Sequence, residues 1–157
     1  MRIAELTIFI AFAILAVLTS TTEAKQSIKY GKKVSGKSTW FDGHQLKGAA
    51  CYGIILHKDI NAKDNWYIGA VRMSSFEGGV RGACFECAKV TANRRSVIVR
   101  LIDDCTSCSS DQIDLTASAF KILAPLKEGV IKMQYEFVRC PTSGSLKWPS
   151  NPVPKRK

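Results

Sequence analysis

Between residues 84 and 140 the chain reads C-F-E-C (84–87), an apolar run ending I-D-D-C-T-S-C (102–108), Q-I-D-L-T-A-S-A-F (112–120) and an alternating stretch that closes on Cys140. In the last of these, Ile131, Met133, Tyr135 and Phe137 alternate with Lys132, Gln134 and Glu136. That period of two is what a half-buried strand requires. Val97, Val99 and Leu101 repeat the pattern upstream. Between the two strands Asp114 stands as candidate N-cap of a short helix predicted over residues 115–123, with Ala117, Phe120 and Leu123 on one face and Pro125 past its end.

Working outward, further strands are predicted at residues 38–41, 53–57, 66–73, 87–92, 96–103 and 130–138. The pieces that precede the C-F-E-C turn are S-T-W-F-D (38–42), Cys51 after Gly48-Ala49-Ala50, and Gly69-Ala70-Val71. Met1-Arg2, the eleven apolar residues from Ile8 to Leu18 and Thr21-Thr22-Glu23-Ala24 read as a signal peptide over residues 1–24. An apolar run that short does not span a bilayer comfortably, so no membrane contact is expected after its removal. Residues 25–37, with five lysines and no acid, read as a basic lead-in, and residues 141–157 as a Pro-rich basic tail too short and polar for a second domain. One domain over residues 38–140 remains, and the whole is expected to be secreted and monomeric.

All six cysteines lie in the mature part, and an even count in a secreted chain points to three disulfides, formed by Cys51, Cys84, Cys87, Cys105, Cys108 and Cys140. The competing reading, a four-thiolate zinc site from the two C-x-x-C pairs, leaves Cys51 and Cys140 over and needs thiolates an oxidising compartment disfavours. His44 and His57 lack ligand spacing, so neither metal nor cofactor is implied. The formal charge is +10; removing residues 1–24, which hold Arg2, Glu5 and Glu23, raises it to +11. Such a field attracts polyanions, and acidic polysaccharides are the natural partners outside a cell. No nucleic-acid-binding signature accompanies the charge, so sequence-specific nucleic-acid binding is not expected.

The ordered set of motifs resembles the six-stranded double-psi β-barrel of single-domain expansin-like and loosenin-like proteins, a fold shared with rare lipoprotein A, barwin and family 45 endoglucanases. The resemblance covers about residues 37–140 and implies a mainly β, disulfide-bonded barrel with one or two short helices. It admits two disulfide alignments. In one, Cys51 pairs with Cys84, Cys87 with Cys140 and Cys105 with Cys108. In the other, G-A-C-F-E (82–86) matches the plant-expansin motif and Cys84 partners Cys140. The first brings Lys89-Val90-Thr91 and the strand after it into register.

The same resemblance supplies a candidate site. Asp114 falls on the aspartate of the family's H-F-D motif, the general acid of the endoglucanases, with Gln112 and Ile113 in place of His and Phe. Apolar neighbours Ile113 and Leu115 disfavour its charged form, as an acid near neutral pH needs, whereas a helix-capping role would lower its pKa. Thr39 and Phe41 fall on the T-x-Y that begins the family's groove, and both also fit a plain barrel strand. Asp42 comes one position too early to match the catalytic base of the lytic enzymes. Asp103 matches the aspartate after the central strand and either lines the groove or bonds loop N–H groups; Asp104 is expected to face solvent. Trp40, Tyr52 and Trp66 are candidate sugar-stacking platforms, Trp40 on the opposite face from Thr39 and Phe41, Trp66 with core packing as its alternative.

Without a matching base, inverting hydrolysis is expected to be absent or feeble, because it needs two carboxyls flanking the scissile bond. The resemblance therefore implies a protein that binds cell-wall polysaccharide and loosens it non-hydrolytically. The alternatives are a barwin-like defence, inhibitor or extracellular signalling protein, and a weak glycosidase or lytic transglycosylase.

Overall fold

The computed structural model describes residues 24–42, 46–57 and 65–141. Six strands, β1 (Lys33–Phe41), β2 (Ile68–Val71), β3 (Cys87–Ala92), β4 (Arg95–Asp104), β5 (Ile113–Thr116) and β6 (Ile131–Val138), close into a barrel in the order β1-β5-β2-β4-β3-β6. The β1–β5 and β2–β4 pairs are parallel and the other four pairs antiparallel. This is the expected double-psi β-barrel. The stretch expected to be a signal peptide, apart from Ala24, and also His44 and the tail beyond residue 141 lie outside the described residues.

The interior follows from alternation. Along β6 the odd positions Ile131, Met133, Tyr135 and Phe137 are buried while Lys132 and Gln134 are exposed. Val97, Val99 and Leu101 of β4 meet them inside with Val90, Ile113 and Leu115. On β2, Gly69 also points inward, where a Cβ would lie 2.9 Å from Leu101 Cδ2 and 3.1 Å from Ile113 and Val99 methyls. A side chain there would compete for space that the core already fills. Asn93 and Arg94, both at positive φ, form the two-residue turn between β3 and β4, the geometry that suits a twisted hairpin.

Three disulfides tie the barrel to its loops: Cys51–Cys84, Cys87–Cys140 and Cys105–Cys108. The first of the two alignments is therefore the right one, and with all six cysteines oxidised no thiolate is left for zinc.

Several boundaries differ from expectation. Strand β1 starts at Lys33, inside the stretch read as a lead-in, because residues 33–38 pair with β6. Gln26 and Tyr30 add isolated bridges to Phe76 and Phe137, so the lead-in is attached to the barrel. The predicted strand at 53–57 is instead a π-helical turn, Cys51–Leu56, ended by His57 in the left-handed region. Its apolar residues suit a strand, but Cys51 is bonded to Cys84 and Tyr52 packs edge-on to Phe85, which holds the segment against the barrel end with no partner strand. Helix α1 (Gly79–Ala83) precedes the C-F-E-C turn. Helix α2 spans Ala117–Leu123, two residues shorter than predicted at its start. Residues 113–116 are extended because they are paired on both sides, to β1 and β2. Asp114 is thus a strand residue and caps nothing; Thr116 holds the N-cap position, its hydroxyl donating to the Trp66 carbonyl at 2.7 Å.

Candidate functional site

A row of residues on the outer face, three of them partly exposed and one, Ala70, covered, crosses four strands of the barrel. Thr39 of β1 lies opposite Asp114 of β5, Asp114 opposite Ala70 of β2, and Ala70 opposite Asp103 of β4. The last step depends on an irregularity. Gly69 pairs with Leu101, but Ala70 pairs with Asp103, skipping Ile102. In an unbroken strand Asp103 would share the inward face of Leu101, since alternate residues point the same way. The extra residue acts as a β-bulge and turns Asp103 to the face that carries Asp114, with Ala70 between them.

The Thr39 hydroxyl donates to Asp114 Oδ1 at 2.6 Å and accepts from Gln112 Nε2 at 3.0 Å. Gln112 therefore fixes the direction of the Thr39 hydrogen and aims it at the carboxylate. Gln112 was read from sequence only as a replacement for the family histidine. The signal that could have found its role is its position two residues before Asp114, on the same face of an extended segment. Burial in the barrel wall pushes the Asp114 carboxyl above the ordinary carboxylate range, and the Thr39 and Leu115 hydrogen bonds oppose that rise without cancelling it. Asp103 is raised for the same reason, against hydrogen bonds from the Ala50 and Asp104 backbone. The Ala50 N–H donates to Asp103 Oδ1 at 2.9 Å, so this carboxylate anchors the loop that leads into the π-helical turn.

The other candidates are dispersed. Trp40 faces the core side of β1, with its indole N–H donating to the Leu126 carbonyl at 3.0 Å, and is a packed residue rather than a free platform. Phe41 is half-buried and packs on the same core, and Asp42 is exposed just past the end of β1. Tyr52 is buried: it is 3% exposed, edge-on to Phe85 with centroids 5.6 Å apart, and has no face to offer a sugar. Trp66 packs partly against the core and its carbonyl receives the Thr116 and Ser118 hydroxyls. Asp104, expected in solvent, accepts the Met73 N–H at 2.9 Å and holds the turn that follows β2. Among the described residues, no three His, Cys, Asp or Glu side chains gather as a metal site would need.

The closed six-stranded barrel with its parallel β1–β5 and β2–β4 pairs and three disulfides defines a protein of the double-psi, expansin-like fold class. The chain belongs to the family of such barrels described as lytic transglycolase, whose model matches residues 33–135. A papain inhibitor of Streptomyces mobaraensis is 31% identical over 137 residues, which cover 83% of this chain and 92% of that protein. The solved structure of a Streptomyces papain inhibitor superposes with a TM-score of 0.57 at 29% identity, over 71% of this chain and 99% of that one. An expansin of Clavibacter michiganensis, solved as a mutant in complex with cellohexaose, superposes with a TM-score of 0.58 at 22% identity, over 72% of this chain and 54% of that one. The chain thus spans about half the length of that expansin.

Proposed function

We infer that the protein is secreted and binds cell-wall polysaccharide along the outer wall of its barrel, loosening contacts between chains without cutting them. The observation that carries this reading is the Thr39–Asp114 hydrogen bond across the β1–β5 pair. It presents a carboxyl whose proton is held more tightly than usual, ready to donate to a glycosidic or hydroxyl oxygen, or to accept from a hydroxyl when ionised. Similarity in fold to an expansin solved with cellohexaose supports a glycan as the ligand. Lysis is disfavoured because Asp103, the second carboxyl of the row, anchors the loop at Ala50 through Oδ1, and Asp42 lies beyond the strand end in solvent. The test is retention on insoluble cellulose, chitin and peptidoglycan with reducing ends measured in parallel. Binding that weakens in Asp114→Asn with no sugar released supports the reading. Sustained release that Asp114→Asn abolishes would replace it with a lytic enzyme.

A second reading, inhibition of a cysteine protease, is favoured by one observation: the papain inhibitor matches this chain over nearly its whole length, at higher identity than the expansin. Addition of the purified protein to papain decides it. Stoichiometric inhibition unaffected by Asp114→Asn would establish the second reading and move the site away from the Thr39–Asp114 row.

A further inference from the structure

Beyond Thr39 towards its N-terminus, the outward face of β1 continues through Lys37, Ser35 and Lys33, since every second strand residue points the same way. Here β1 runs beside β6, with Ser35 opposite Gln134 and Lys37 opposite Lys132, while Gln134 is in turn opposite Thr91 of β3. Together with Asp111 these side chains line an open groove of about 750 Å³. Gly36 makes the groove possible, because the Asp111 carbonyl occupies the space that a Cβ on residue 36 would need. The loop before β5 can therefore lie against β1 and form one wall.

The Lys37–Lys132 pair serves no evident purpose in the fold. Like charges directly opposite each other on neighbouring strands are destabilising. Lys33 and Lys89, by contrast, each lie opposite Glu136, an acid, in register. Among the described residues neither Lys37 nor Lys132 is engaged in an ion pair. Asp111, the acid of the groove, accepts the Ser109 hydroxyl at 2.6 Å, and its single charge leaves the two ammonium groups in excess. Nor does Lys132 guard an exposed strand edge, the usual reason for an outward lysine, because β6 is paired to both β1 and β3. Two cations brought together at a concave surface, with neutral hydrogen-bonding groups beside them, complement an anion carried on a polar chain.

We propose that this groove binds the carboxylates of an acidic polysaccharide, Lys37 and Lys132 taking a uronate carboxylate between them while Ser35, Thr91 and Gln134 hydrogen-bond the ring hydroxyls. It rests on the reading of β1 as a polysaccharide track, because the same strand leads from Lys37 to Thr39, opposite Asp114, about 7 Å further on at the rise of an extended chain. The lysine pair favours an anionic glycan, a preference that the carboxyls of the Thr39–Asp114 row do not supply.

The experiment measures binding of the mature protein to soluble polygalacturonate and to hydroxyethyl cellulose, comparing Lys37→Gln/Lys132→Gln with Lys121→Gln/Lys127→Gln. The second variant removes the same charge from the exposed side of α2 and the turn after it. Thermal melts establish that both fold. The groove variant is expected to lose about tenfold or more in affinity for polygalacturonate, as removal of two close charge contacts implies, and to keep its affinity for hydroxyethyl cellulose. An equal loss in both variants would assign the binding to the overall charge, and no loss in the groove variant would empty the site; either overturns the proposal. Equal, groove-dependent binding of inorganic polyphosphate would overturn the glycan assignment. If polygalacturonate is held through the lysine pair while Asp114→Asn changes no polysaccharide binding, the reading of the Asp114 row fails and this site stands. If hydroxyethyl cellulose is bound through Asp114 and polygalacturonate is not bound, the reverse holds.

Discussion

Asp114 shows how far a single residue's environment reaches. Its carboxyl and that of Asp103 are both raised above the ordinary value of 3.8, burial being the largest cause in each. A folded state with raised carboxyl pKa values holds these protons more tightly than the unfolded chain does. The stability the two groups contribute is therefore complete below pH 3.8 and is lost as pH rises through their folded-state values. Asp114→Asn keeps an oxygen that can accept the Thr39 hydroxyl but never ionises. It should melt above the parent at neutral pH, with the gap closing as the solution is acidified; a gap independent of pH in thermal melts would refute the burial argument. Thr39→Val removes a hydrogen bond to the carboxylate and should cost about 0.5–1.5 kcal/mol of stability in denaturant titrations while weakening polysaccharide retention. From sequence, Asp114 was legible through its motif and its apolar neighbours. Its hydrogen bond was not, because Thr39 and Asp114 are 75 positions apart.

At the scale of elements, β6 was readable almost to the residue, since its alternation is a property of consecutive side chains. The segment over residues 113–123 was not, because two tendencies compete there. Its helical face begins early, yet residues 113–116 gain partners on both sides from β1 and β2 and extend instead. The same pairing places Gly69 against Leu115 at the centre of the barrel. Gly69→Ala should destabilise by about 1–3 kcal/mol, the usual range for forcing volume into a packed core, with the shift read as a lower denaturant midpoint. An unchanged midpoint would mean that Leu101, Ile113 and Val99 can make room.

Over the whole molecule the disulfides act through the length of chain each one closes. On the loop-entropy account, Cys87–Cys140, spanning 53 positions, is worth about 4 kcal/mol and Cys51–Cys84, spanning 33, slightly less. Cys105–Cys108, spanning three, is worth only about 1.5 kcal/mol. Pairwise replacement by serine should therefore lower the melting temperature in that order, and a reversed order would show that native-state strain outweighs chain entropy. The net charge also acts at this scale: retention on acidic polymers should fall as salt is raised, because exposed charges are screened over about 10 Å at moderate ionic strength.

What the sequence determined alone was whatever neighbouring residues encode together: the alternating strands, the even cysteine count, the charge and the motif around Asp114. The family resemblance implied the cysteine pairing and a cleft shared by Thr39, Asp114 and Asp103, but the register that brings them together, and which aromatics are buried, depended on closure of the barrel. Tyr52 reads as an exposed aromatic until the Cys51–Cys84 bond folds its turn onto Phe85. Asp103 follows the inward phase of Leu101 until a bulge, visible only in its pairing with β2, reverses it. Local patterns carry the period of an element, whereas register, bulges and contacts between distant strands are set by packing, the first level at which residues 39, 70, 103 and 114 become neighbours.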